Sequence, residues 1–106
     1  MELTPEREIK INTGGSIETL AARVEKENIN IDVITLMRTI PEYVKPKYMT
    51  ARQMNVFKSY YLQKMSIYQI RFNSIFEFRS FTEVERTLNS ATERYIKNLR
   101  KDYGVK

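Results

Sequence analysis

Met49-Thr50-Ala51-Arg52-Gln53-Met54-Asn55-Val56-Phe57-Lys58-Ser59-Tyr60-Tyr61-Leu62 reads as an amphipathic helix behind a polar cap. Thr50 can satisfy a free N–H of the first turn. Met54, Phe57 and Tyr61 recur at i, i+3 and i+7, and Val56 and Tyr60 widen the stripe. Arg52, Asn55, Lys58 and Ser59 lie largely on the other side, and the pattern fades near Gln63. Met65-Ser66-Ile67-Tyr68-Gln69-Ile70 restarts a short helix behind Ser66, with Ile67 and Ile70 inward. Ser80-Phe81-Thr82-Glu83-Val84-Glu85-Arg86-Thr87-Leu88 opens a last helix near Thr82. Its apolar line, Val84, Leu88, Ala91, Tyr95 and Leu99, steps by 4, 3, 4 and 4 residues, and Gly104 stands past its end. Capped helices in this order, with basic residues throughout, point to a helix-turn-helix on a nucleic-acid duplex.

Upstream, Ser16 is a good N-cap, with Glu18 in the first turn and Ile17, Leu20, Ala21 and Val24 as a helical stripe. The break at Asn28 to Asn30 precedes a second helix, capped by Asp32 or Asn30 and carrying Val33, Leu36, Met37 and Ile40. Pro41 should end it. The pair reads as an αα-hairpin, although Ile29, Ile31, Val33 and Ile34 leave a strand open as an alternative. Glu6 to Asn12 alternates, with Ile9 and Ile11 on one side, as a short edge strand or an extended arm would. The expected architecture is all-α: one domain, 1–106, of about five helices with a short N-terminal extended arm. Residues 1–44 form an acidic helical hairpin with the arm, and residues 45–106 a basic helix-turn-helix unit.

Charge divides along the same line. Residues 1–44 hold five Lys/Arg against eight Asp/Glu, a net −3, and residues 45–106 hold 13 against five, a net +8. A basic half beside an acidic half suits one part facing phosphate and another facing something else. Histidine and cysteine are both absent. The commonest general base, the commonest transition-metal ligand and the thiolate nucleophile are therefore missing. The remaining carboxylates, lysines, tyrosines and hydroxyls form no catalytic constellation. The expectation is a protein that is not an enzyme and uses no metal or cofactor. No apolar run approaches membrane-spanning length, and Met1-Glu2-Leu3-Thr4-Pro5-Glu6 is unlike a secretory signal. A cysteine-free chain of this kind fits the cytoplasm and no membrane.

Residues 49–100 resemble domain 4 of bacterial sigma factors and the related phage regulators of late transcription. The three stretches quoted above carry the likeness, about half the chain. The resemblance implies a helix, a short helix, a turn and a recognition helix in the major groove of promoter DNA, with RNA polymerase as partner. Lys64 stands where that family often has glycine, and Arg71 where it usually has a small residue. The inner turn lacks its glycine, and Arg71 to Arg79 runs about three residues longer than the pattern. Phe72, Ile75, Phe76 and Phe78 make that stretch apolar, which predicts an extended second helix rather than an open loop.

On this reading Arg79, Ser80, Thr82 and Arg86 stand at the start of the recognition helix. Arg86 could read a guanine edge and the hydroxyls could bind phosphate. An ion pair with Glu83 or Glu85 is the alternative for Arg86. Ser66 offers free N–H groups as a phosphate seat, or simply caps a structural helix. Arg52, Lys58, Lys64 and Arg71, with Lys45 and Lys47, extend electrostatic reach, or form a solvated face. Phe57, Tyr60, Tyr61, Phe72, Phe76 and Phe78 suit a core better than a base-stacking platform, and any left exposed would suit a dimer or polymerase contact. The functional expectation is a transcriptional regulator, phage or mobile-element encoded, that binds double-stranded DNA. It would gain affinity as a homodimer or by borrowing RNA polymerase. The alternative is a small helical interaction module that binds a host protein without DNA.

Overall fold

Thr4 and Pro5 decide the N-terminal segment. The Thr4 hydroxyl accepts from the Arg7 N–H at 3.2 Å, Pro5 occupies the first helical turn, and Glu6 and Glu8 follow where the helix dipole favours acids. The computed structural model, which describes residues 4–104, accordingly has a helix there, α1 (Pro5–Asn12), in place of the expected strand or arm. Ile11 enters the core while Ile9 stays exposed, so the two do not share a face. Five more helices follow: α2 (Ile17–Lys26), α3 (Val33–Tyr43), α4 (Ala51–Tyr61), α5 (Ile67–Arg71) and α6 (Phe81–Tyr103). The fold is all-α, with no strand among the described residues. None of these helices is long and apolar enough to cross a membrane.

The caps fall where side chains can make them. Ser16, Asp32, Thr50, Ser66 and Ser80 each accept from the backbone N–H three residues on. Thr50 with Gln53 and Ser66 with Gln69 form full capping boxes. Pro41 does not end α3. The helix runs on through Tyr43, and the Val44 N–H closes on the Ile40 carbonyl at 2.8 Å. Proline here forfeits one bond near the helix end, while burial of Ile40 and Tyr43 holds the last turn in place.

α6 is the spine, about 34 Å long for its 23 residues. It packs on α3, α4 and α5, burying Val84, Leu88, Ala91, Tyr95 and Leu99 as its spacing requires, with Thr92 and Ile96 beside them. Two hydroxyl pairs cross this interior: Thr39 with Tyr95 at 2.7 Å and Tyr61 with Thr92 at 2.8 Å. The acidic half is stitched to the basic half at both ends. Gly14 bridges Ser66, and Ile29 bridges Gly104 beside a 2.8 Å ion pair from Arg100 to Glu27.

The α4–α5 turn replaces a glycine by other means. Lys64 itself takes the left-handed conformation, φ 59°, that glycine would adopt. The Thr13–Ser16 loop lies hard against this turn, where a Cβ on Gly14 would come 2.5 Å from the Lys64 carbonyl oxygen.

The connection from α5 to α6 is not an extended helix. α5 stops at Arg71, and Phe72 to Ser80, nine residues, are irregular. The Asn73 side chain accepts from the Ile75 N–H at 2.9 Å, an Asx turn that competes with helix, and Glu77 is left-handed at φ 53°. Phe78 then plugs into the core, while Phe72 and Ile75 stay 57% and 82% exposed. A helix-turn-helix joins its helices by about 3–4 residues, so this segment is far longer.

Candidate nucleic-acid interface

The nine expected contact residues do not form one face. Arg52 turns inward on the connector: its guanidinium carbon sits 4.1 Å from the Phe78 ring centroid, and it donates to the Phe76 carbonyl at 3.2 Å and to Glu83 at 3.0 Å. Arg71 lies over Phe72 and donates to the Arg79 carbonyl at 2.8 Å, closing the loop on itself. Ser66 is buried and spends its hydroxyl on the Gln69 N–H. Ser80 does the same for Glu83, whose carboxylate also accepts from the Arg79 N–H. Thr82 accepts from Arg7 of α1 at 3.2 Å. Lys58 and Lys64 are exposed at the far end of α4 and in the turn after it. Lys64 also stands near Glu18, whose carboxyl is held below its usual range by its backbone hydrogen bond first, then by Ser16 and by the Lys64 charge.

Arg86 is exposed, and it pairs with neither Glu83 nor Glu85. Those carboxylates are taken by Arg52 and by Arg7 with Lys10 respectively. The start of α6 is thus flanked by two grooves that mix signs. Arg52 and Arg79 share one with Glu77 and Glu83, and Arg7, Lys10 and Arg86 share the other with Glu6 and Glu85. Acidic side chains at both flanks weaken attraction for phosphate where base reading was expected.

The other half of α6 differs. Arg94, Lys97 and Lys101 recur at i, i+3 and i+7 on one open face, Lys47 lines the same groove from the turn after α3, and Lys45 reaches the ring of Tyr48, which also lines it. The Arg94 guanidinium donates to the Tyr48 carbonyl at 2.9 Å, which ties the turn to the helix. The ammonium groups of Lys45 and Lys47 stand 5.6 and 5.4 Å from the centroid of the half-buried Tyr48 ring. Lys47, Tyr48, Arg94, Lys97, Asn98 and Lys101 line a groove of about 440 Å³. Among the described residues none of these five cations lies within ion-pair distance of a carboxylate. Nearby Asp102 accepts from the Tyr43 hydroxyl instead, and Glu93 stands exposed one residue before Arg94. The i, i+3, i+7 spacing was a readable signal for this face. Its completion by Lys45 and Lys47 depends on how the turn folds back.

No protein-family model, curated protein or solved structure matches the chain.

Proposed function

We propose that the chain binds double-stranded DNA in transcriptional control, chiefly through the phosphate backbone, on the face formed by Lys45, Lys47, Arg94, Lys97 and Lys101. The observation that carries this reading is the gathering of those cations around Tyr48, without an ion-pair partner among the described residues. Like charges held together cost folding energy that a bound polyanion offsets. Phosphate contacts fix position and carry little sequence information. Arg86 and Arg79 then supply what base reading there is. The sigma-like order of capped helices supports a place beside RNA polymerase, whereas the nine-residue connector departs from it.

The test is duplex binding across a salt series. Five neutralised phosphates give a slope of about −4.5 in log K against log salt. Alanine at Lys47, Lys97 and Lys101 should flatten that slope and release the duplex, while alanine at Arg79 and Arg86 should change affinity less. The reverse order returns the contact to the start of α6, and no binding by the wild type removes DNA from the assignment.

A second reading, a helical module for a protein partner, has its own support. Tyr68 and Phe72 pack on each other at 4.8 Å between centroids beside Phe81, and both are exposed. Exposed aromatics of this kind suit a protein contact.

A further inference from the structure

Every helix but α3 contributes to one small hollow. Tyr61, Ile67 and Leu88 are core residues, yet each also lines this hollow, so it reaches down to the interior. The half-buried Tyr60 stands edge-to-face with Tyr61, 5.0 Å between centroids, and the two rings make an aromatic corner. Burial alone raises the Tyr60 hydroxyl above its ordinary range, with no hydrogen bond set against it, unlike Tyr61, whose hydroxyl bonds Thr92. The hollow measures about 200 Å³. A dry apolar cavity of about 150 Å³ takes benzene, so one six-membered ring with a short polar arm fits.

The rim is cationic. Lys10 and Arg23 face a single carboxylate there, Glu85, which already holds Arg7 at 2.9 Å and Lys10 at 3.5 Å. Arg23 is held loosely, 3.5 Å from a Glu27 that Arg100 claims at 2.8 Å. Through Lys10, Glu85 and Asn89 the rim continues into the groove of Arg7 and Arg86. Arg86 has no ion-pair partner among the described residues, and the Arg7 Nε is buried without a hydrogen bond.

We propose that the hollow binds a small aromatic carboxylate, its ring against the Tyr60–Tyr61 corner and Leu88, its charge between Lys10 and Arg23. Shape and charge select this class. The apolar floor cannot replace the hydration of a bare anion such as phosphate. Lys10 and Arg23 exceed Glu85 by one charge, which one carboxylate balances. A neutral ring would leave that excess unmet, and a cation would add to it. The hollow shares no residue with the groove between Lys47 and Lys101, so the inference goes beyond DNA binding and stands without it.

Benzoate is the probe, with benzamide as its neutral isostere, benzylamine as the cation and inorganic phosphate as the bare anion. In an amide-resolved NMR titration of the full chain, benzoate should saturably shift the signals of Tyr60, Tyr61, Ile67 and Leu88. Benzamide and phosphate should bind at least about tenfold more weakly, and benzylamine should leave these signals unmoved. Arg23→Gln and Lys10→Gln should each weaken benzoate about fivefold and leave benzamide unchanged. Thr19→Phe, which adds a ring from the rim of α2, should abolish binding of both. Amide dispersion matching the wild type certifies the fold of each variant. The proposal is overturned by no saturable shift with benzoate up to about 50 mM. It is equally overturned by benzamide, benzylamine or phosphate binding as tightly as benzoate, or by benzoate binding indifferent to Arg23→Gln and Lys10→Gln or to Thr19→Phe.

Discussion

Arg52 lies over the ring of Phe78, and that stack holds the α5–α6 connection to the start of α4. The arginine is half-exposed, yet its guanidinium is spent on one aromatic face, one carbonyl and Glu83. Arg52→Ala should therefore lower stability by about 1–2 kcal/mol, the sum of a modest cation–π term and a charge-assisted hydrogen bond. Duplex affinity at constant salt should change less than twofold. Urea denaturation and filter binding on the same sample separate the two effects. A tenfold loss of affinity in a fully stable variant would make Arg52 a contact residue after all.

Lys64 bears a conformational cost that glycine would not. Lys64→Gly should raise stability by up to about 1 kcal/mol, the relief of left-handed strain less the added entropy of the unfolded chain. Gly15→Ala should do the opposite, because its Cβ would overlap the Tyr60 ring. Thermal melts of the two variants should move in opposite directions from the wild type.

High pH should loosen the interior. Burial pushes the Tyr95 hydroxyl up to about 12, against the opposing pull of its bond with Thr39. Burial first, then Asp102, raises Tyr43, and burial raises Tyr61. An unfolded tyrosine ionises near about pH 10. Above that value the native state keeps protons that the unfolded chain gives up. The contribution is therefore whole below about pH 10 and is lost as pH climbs to about 12. Phenolate absorbance and loss of helical signal should rise together in that window. Tyr95→Phe should make the urea midpoint fall less steeply with pH; an unchanged slope would remove Tyr95 from the account.

Lys97→Glu should separate stability from binding. It relieves repulsion with Lys101 and Arg94, so stability should hold or rise by a few tenths of a kcal/mol. Duplex affinity should fall at least about tenfold at low salt, with the salt slope shallower by about one or more. Equal affinity would sink the basic-face assignment.

The helical class and the caps at Ser16, Asp32, Thr50, Ser66 and Ser80 were legible because each rests on a side chain within three residues of its N–H. The same local rule applies at Thr4-Pro5, but the alternation of Ile9 and Ile11 masked it. The α6 core line was legible for the same reason of short period. The site was less so. Arg52 and Phe78 meet across a loop whose path depends on Asn73, Glu77 and the burial of Phe78, so no local pattern announces the pair. Arg94, Lys97 and Lys101 were readable as one face. Their union with Lys45 and Lys47 depends on the Arg94–Tyr48 bond.

Because the spine of the bundle is the final helix, folding has a direction problem. Leu36, Ile40 and Phe57, on two helices that pack on it, wait for surface supplied between residues 84 and 99. A nascent chain paused before that point would hold a hydrophobic interior open to water, which makes early termination or stalled synthesis a route to aggregation rather than to a smaller folded product.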